Sequence, residues 1–340
     1  MRLLMVNWGY DDDAVLERQM LGSDVTVDLR RWTPGKMQPV TAADGAGVDA
    51  IINYSAVEQI GAEPAAFPKC KIVVRSGVGF DNVDLAGWGK RGVPVSNVPD
   101  YGTTEVADHA IALMLALTRG TATYQQILRP DPAKGWRFGA APLVKRLRGA
   151  VFGVIGLGRI GLAAALRAQA FGMRIIFFDP YLPTGAELSA GFSRVKTLEE
   201  LMSASDVVSV HAPLSDETRG LVGPKAFMAA KQGVVIVNTA RGPIVDLGAL
   251  GAAIRSGKVG GAGLDVLPAE PADANHPLIA AWIKGEPWIE GRLVLSPHAA
   301  FYSPASIEDL RRKSVEVVVE YITANRLLNC VNPQFLEKRA

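Results

Sequence analysis

Apolar residues along this chain fall into short runs of strand length, separated by polar turns and by longer stretches rich in helix formers. In the first hundred residues the runs lie at 3–6, 25–29, 50–53, 72–75 and 93–97. Their alternation with helical stretches predicts a small parallel α/β domain. A long helix follows over 104–119 (TEVADHAIALMLALTR), with Thr103 or Thr104 as its N-cap. Its wide apolar surface is that of a helix lying between two packed units. After the proline-containing segment 129–150 the α/β rhythm resumes. Strands are expected from Val151 and at 174–178, 206–210, 234–238, 263–266 and 293–296, with helices at 162–171, 224–230 and 246–256. These six strands complete a doubly wound sheet. The segment 303–324 opens on Ser303 and Pro304, the residues of a helix start, and has no strand to pair with in that sheet. It is expected to return to the first domain. The expected division is therefore a discontinuous domain, 1–100 completed by 303–340, and a continuous one, 101–302.

The run from Val151 leads straight into a glycine fingerprint, VFGVIGLGRIG (151–161). Gly156, Gly158 and Gly161 have the spacing of a dinucleotide-binding turn. The first reverses the chain, the second lets backbone approach a pyrophosphate, and the third packs helix closely on strand. Glycines so spaced also occur in ordinary loops; here the apolar strand before them and the helix formers after them supply the context. The next strand ends in Asp179, eighteen residues beyond Gly161. An acidic side chain there binds the ribose hydroxyls of NAD and repels the 2′-phosphate of NADP, so NADH is the expected cofactor.

Composition narrows the function classes. With 340 residues the chain holds two domains of ordinary size, and 49% hydrophobic against 21% charged residues is a soluble globular balance. A net charge of +2 with no long basic stretch argues against a nucleic-acid partner. No apolar run is long enough to span a bilayer, and the start, MRLLMVNWGYDDD, meets acids too early for a signal peptide. Cys70 and Cys330 have no metal-ligand spacing. No metal is expected, and both thiols are assigned structural places in a cytoplasmic, disulfide-free protein.

In a doubly wound sheet, ligands sit beyond the carboxyl ends of the strands. The strand at 234–238 ends in Thr239-Ala240-Arg241-Gly242, and the one at 293–296 in Pro297-His298-Ala299-Ala300. The strand at 263–266 contains Asp265 and is followed by Glu270, and the one at 206–210 ends in His211-Ala212-Pro213-Leu214. Arg241 can hold a carboxylate bidentately and polarise a neighbouring carbonyl. His298 can protonate that carbonyl as hydride arrives, with Glu270 fixing the imidazole tautomer. Taken singly, the arginine has a surface ion pair as its plain alternative and the glutamate a solvated loop position. Of the other histidines, helical His109 is assigned a structural place, His211 a place near the cofactor without reaction, and His276 none.

The motifs GLGRIG (156–161), FFDPY (177–181), NTARG (238–242), LDVLPAEP (264–271), SPHAA (296–300) and SGVGFDNVDL (76–85) carry a resemblance over nearly the whole length. The chain resembles the D-isomer-specific 2-hydroxyacid dehydrogenase family, and within it the C-terminal-binding protein branch, through VVRSGVGFDN, FFDPYL, PHAAFYSPASIEDLR and NCVN (329–332). The resemblance implies two Rossmann-like parallel-sheet domains, a doubly wound nucleotide domain and a flavodoxin-like, discontinuous substrate domain. It implies catalytic roles for Arg241, Glu270 and His298. Cofactor contacts are implied at Val106, Gly156, Gly158, Arg159, Ile160, Asp179, Pro213, Thr218, Thr239, Ala240, Asp265, His298 and Ala300. Substrate contacts are implied at Tyr54, Arg75, Gly77, Val78, Gly79, Arg241, His298 and Phe301. Backbone N–H groups at Gly77, Val78 and Gly79 would receive the substrate carboxylate. Asn53, Tyr54 and Tyr101 are candidates for reading the side chain, with ordinary packing as the alternative. The branch usually has Trp where this chain has Phe301, so its substrate preference does not carry over. The segment between Glu270 and His298 is longer than is common and carries Trp282 and Trp288, either as a loop core or as a lid.

The leading expectation is an enzyme that reduces a 2-keto acid with NADH, or runs the reverse oxidation, as a homodimer formed through the nucleotide domains. The alternative is an NAD(H)-sensing dimer that docks peptides; a chain stopping at Ala340 without long recruiting tails favours the enzyme. Glu270 argues against formate dehydrogenase, which has glutamine as the histidine's partner. Only a short tail follows the 303–324 helix, so serine feedback of the kind known in longer phosphoglycerate dehydrogenases is not expected. Glyoxylate, hydroxypyruvate, and branched or aromatic 2-keto acids all remain open as substrates.

Overall fold

The computed structural model describes residues 1–33, 36–55 and 60–336. The chain forms two compact units, Met1–Gly102 with Ser303–Ala340, and Thr103–Tyr302. The sheet of the first comprises, among the described residues, β1 (Arg2–Trp8), β2 (Thr26–Thr33), β3 (Lys36–Met37), β4 (Ala50–Asn53), β5 (Ile72–Arg75) and β6 (Val95–Asn97). Their order is β3-β2-β1-β4-β5-β6. All pairs are parallel except β2 with β3. Without the β3 ribbon this is the flavodoxin-like order, with its switch point between β1 and β4. Leu3 to Val6 and Ile72 to Val74 are buried at every position, because helices cover both faces of a parallel sheet. One cover is the helix Pro304–Ala324, whose Leu310, Val315, Val317 and Val318 enter the core around Leu3, Met5, Ile52 and Val74. Ser303 and Ser306 form its capping box, Pro304 its first turn, and Asn325 ends it in the left-handed region.

The second unit has an all-parallel sheet of β7 (Val151–Ile155), β8 (Arg174–Phe178), β9 (Ser193–Arg194), β10 (Val207–Val210), β11 (Val234–Asn238), β12 (Val259–Leu264) and β13 (Leu293–Leu295). Its order is β13-β12-β11-β10-β7-β8-β9, doubly wound, with the switch point between β7 and β10. Two features depart from the sequence reading. β9 is a seventh strand, too short to carry a hydrophobic period. β12 starts at Val259 and stops before Asp265, earlier than the expected 263–266. Its glycines look like a loop but mark close packing. A Cβ on Gly261 would lie 2.4 Å from the Arg292 carbonyl oxygen, and one on Gly263 would lie 2.8 Å from Leu113. Leu113 belongs to the helix Thr103–Thr118, which packs on the helix Arg159–Ala170 and on β11, β12 and β13. The long segment before His298 carries a helix, Pro277–Ile283, and packs Leu278, Ile279, Ala281, Ile289 and the half-buried Trp288 into the main cluster of this unit, while Trp282 is exposed. No helix among the described residues is long and apolar enough to cross a membrane.

The NCVN run has a packing explanation. Asn332 is fully buried, accepts the Val95 N–H at 2.8 Å, and donates to the Val93 and Leu85 carbonyls at 3.2 and 3.3 Å. It thereby ties the segment after the last long helix to the edge strand β6. Asn332→Ala strands one buried donor and two acceptors, and should cost about 2 kcal/mol in urea denaturation. An unchanged midpoint would show that the tail is not held by this side chain.

Candidate active site

The loops at the carboxyl ends of β7 to β13 bring together residues far apart in sequence. Gly156 leaves β7 at φ 84°, where only glycine is unstrained, and its Cβ would lie 2.8 Å from the Ala212 nitrogen. Gly161 faces the Gly156 carbonyl oxygen at 2.1 Å from its own Cβ position, so any side chain would lift the helix off the turn. Gly158 is different. Its Cβ would meet nothing within 4 Å, so the turn is open on that side and exposed together with Arg159 at the helix start. Asp179 lies across this turn: Oδ2 accepts the Leu157 N–H and Oδ1 the Tyr181 N–H, each at 3.0 Å. Arg194 donates to the Asp179 and Leu182 carbonyls, which fixes the loop after β8.

On the far side of the switch point, the His211 ring pairs with the Ser209 hydroxyl at 2.8 Å. Loss of solvation pushes the His211 pKa from 6.5 down to about 4, so the ring is neutral near neutral pH. Thr218 accepts the Ser215 N–H and donates to the Pro213 carbonyl, closing the 213–218 turn. At the end of β11, the Asn238 side chain clamps the Ala240 N–H and the Arg241 carbonyl at 3.0 and 2.9 Å. Gly242 lets this turn touch the next loop: its Cβ would lie 1.9 Å from the Leu267 carbonyl carbon. The Arg241 turn and the 265–270 loop are thus in backbone contact. Thr239 Oγ1 is buried without a hydrogen-bond partner at the same strand end. An orphaned hydroxyl here and an open cradle at Gly158 both fit a polar, phosphate-bearing ligand along this edge.

His298 and Glu270 meet. Nδ1 of His298 lies 2.6 Å from Oε2 of Glu270, whose Oε1 accepts the Leu267 N–H at 3.1 Å. His298 has φ 52°, a conformation costly for a non-glycine residue. Asp265 holds it there. The His298 N–H donates to the Asp265 carbonyl at 2.8 Å, and the Ala299 and Ala300 N–H groups donate to Oδ1 and Oδ2 at 2.9 and 3.0 Å. Phe301 stands edge-on to the imidazole, with ring centroids 6.2 Å apart. Val106 and Ala300 are buried, and Ile160 is half-buried.

The remaining residues named for substrate belong to the first unit. Arg75 is buried and folds under Gly77, donating to the Ser76 carbonyl at 2.7 Å. Gly77, at φ 142°, has no room for a side chain, because its Cβ would lie 1.4 Å from Arg75 Nη1. The Val78 carbonyl accepts the Asn97 side chain at 2.7 Å, which fixes the turn that continues to Gly79. Asn53 is fully buried, and its Oδ1 accepts from the Asn7 side chain and the Ser55 N–H at 2.9 and 3.1 Å. Tyr54 packs edge-on to Trp8 and Tyr10, and its hydroxyl bonds Glu17 at 3.3 Å. Tyr101 lies at the rim of the same core cluster. Arg311 stacks 4.9 Å from both Trp8 and Tyr10 and forks onto Asp12 and Glu17. Sequence reading missed Arg311, because its partners are nearly three hundred residues away.

The His211 shift has a sign. Its folded pKa lies below its ordinary value, so the unfolded chain binds the proton first as pH falls. Stability from the neutral ring is complete above about 6.5 and is lost as pH falls toward about 4. His211→Gln should flatten the pH dependence of the urea midpoint across that window; an equally steep dependence would assign it to other groups.

Comparison with known proteins adds the lineage. A family model described as the NAD binding domain of D-isomer specific 2-hydroxyacid dehydrogenases matches residues 111–300. The chain is 40% identical over 278 residues to D-3-phosphoglycerate dehydrogenase of Mycobacterium leprae, covering 82% of this chain and 49% of that protein. It is 35% identical over 277 residues to C-terminal-binding protein 1 of Caenorhabditis elegans, covering 79% of this chain and 37% of that protein. The chain thus spans half or less of the length of these two curated relatives. The crystal structure of a glyoxylate reductase from Paecilomyes thermophila superposes with a TM-score of 0.82 at 29% identity, over 98% of this chain and 99% of the other. With the family model covering more than half of its residues and the whole fold shared, this chain belongs to the D-isomer-specific 2-hydroxyacid dehydrogenase family.

Proposed function

We propose that the chain interconverts a 2-keto acid and its D-2-hydroxy acid with NAD(H), with His298 as general acid and base, Glu270 as its partner and Arg241 as the anchor for the substrate carboxylate and carbonyl. The observation that carries this reading is the 2.6 Å pairing of His298 Nδ1 with Glu270. It fixes the tautomer and leaves Nε2 as the nitrogen available to substrate. A nicotinamide dinucleotide held along the Gly156–Gly161 turn would supply or accept the hydride. His298 holds the proton destined for the carbonyl oxygen. Arg241, on a turn clamped by Asn238 and in contact with the Glu270 loop, holds the carboxylate. In the first unit, taken by itself, the backbone N–H groups of the Gly77–Gly79 turn would suit a carboxylate. Whether the preferred acid is small, as in the glyoxylate reductase relative, or bulky is the outcome of a substrate panel.

The cofactor would lie along the Gly156–Gly161 turn, with Asp179 on the ribose hydroxyls. Both oxygens of that carboxylate are already oriented by backbone donors and keep lone pairs free for hydroxyls, which supports NADH over NADPH. We assign a homodimer formed through the second unit. Trp136 and Phe138 are 80% and 97% exposed, unusual for large apolar side chains on a soluble monomer.

Steady-state NADH oxidation with a panel of 2-keto acids tests the activity. His298→Ala should lower kcat by about 10² to 10⁴ with NADH binding retained. Binding of NADH with no turnover of any keto acid would favour the cofactor-sensing reading instead. Asp179→Ala should narrow the NADH preference, and equal turnover of NADPH by the unmodified protein would remove that assignment. Replacing Trp136 and Phe138 by serine should shift sedimentation from dimer toward monomer; a monomeric unmodified protein would dispose of the dimer.

A further inference from the structure

Behind the His298 loop lies a second imidazole that the proposed reaction does not use. His109, on the helix Thr103–Thr118, places Nε2 2.8 Å from the Ser296 hydroxyl and 3.5 Å from Asp265 Oδ1. Ser296 in turn donates to Asp265 Oδ1 at 2.6 Å. That order settles the hydrogen positions. The Asp265 carboxylate can only accept, so the serine hydrogen goes to it. The serine oxygen must then receive its hydrogen from His109, whose Nε2 carries one.

The recipient of this chain is the residue that holds His298 in its left-handed conformation. Asp265 is buried, and its two carboxylate oxygens receive the Ser296 hydroxyl and the Ala299 and Ala300 N–H groups. Its rotamer therefore sets where the 298–300 backbone lies. Ser296, two residues before His298, ties the same loop from its other end. We propose that His109 is a positioning residue: through Ser296 it fixes the Asp265 carboxylate, and through that carboxylate it fixes the loop that carries His298. Its effect on catalysis rests on the dehydrogenase reading; its effect on the loop does not.

The test compares His109→Phe, which keeps a ring and removes the donor, with His109→Gln, which restores an N–H at similar reach. The loop readout is amide hydrogen exchange at residues 298–300 in the protein with NADH. Protection there should fall about tenfold or more in His109→Phe and recover in His109→Gln, with thermal midpoints of the three proteins alike. The kinetic readout is kcat against KM. The phenylalanine variant should lose about tenfold in kcat with the KM for NADH little changed, and the glutamine variant should regain most of it. Unchanged exchange in His109→Phe overturns the proposal, and equal loss in both variants overturns the donor role in favour of packing. An unchanged kcat in His109→Phe, where the unmodified enzyme turns over a keto acid, overturns the proposal as well. An unmodified protein that turns over no keto acid counts against the dehydrogenase reading alone, and the exchange result then decides the positioning role.

Discussion

The arrangement at the sheet's carboxyl edge depends on one buried carboxylate. Asp265 gives its backbone oxygen to the N–H of His298 and its side-chain oxygens to Ser296, Ala299 and Ala300. Burying an ionised carboxylate is unfavourable unless every lone pair finds a donor, and here the donors come from a single turn. The same bonds hold His298 in the left-handed region, where a histidine on a free loop would not stay. Desolvation of the acid and strain of the histidine are thus offset by one set of hydrogen bonds.

Around that anchor, closeness is achieved by missing side chains as much as by bonds. Gly242 allows the Arg241 turn to lie on the Leu267–Pro268 backbone, and the Leu267 N–H then orients Glu270. Glycines along β12 let the helix Thr103–Thr118 press on the sheet, which brings His109 to Ser296. The parallel sheet points all of these loops the same way, and that common direction makes a site possible from residues lying anywhere between Gly156 and Ala300.

The first unit has its own version of this economy. Arg311 reaches from the helix Pro304–Ala324 to Asp12, in the loop after β1, and to Glu17, on the helix Val15–Leu21, and stacks on Trp8 and Tyr10. Glu17 is fully buried, so the guanidinium is the charge that makes its burial tolerable. A helix that arrives three hundred residues after β1 is thereby locked to it.

The sequence by itself determined the class of each domain, the fingerprint at Gly156 to Gly161, and the family through its motifs. These depend on local period, on glycine's freedom at positive φ and on short spacings, all of which act within a few residues. It also named His298 and Glu270, though their pairing could be given only as an expectation. The tertiary structure alone decided that pairing, the anchoring of the His298 loop by Asp265, the link from His109 through Ser296, and the Arg311 clamp. It also decided β9 and the true extent of β12, where strand formation came from neighbouring strands rather than from any hydrophobic period. Hydrogen bonds between residues far apart in the chain leave no periodic trace in the residues between them, so they become visible only when the sheet has brought their ends together.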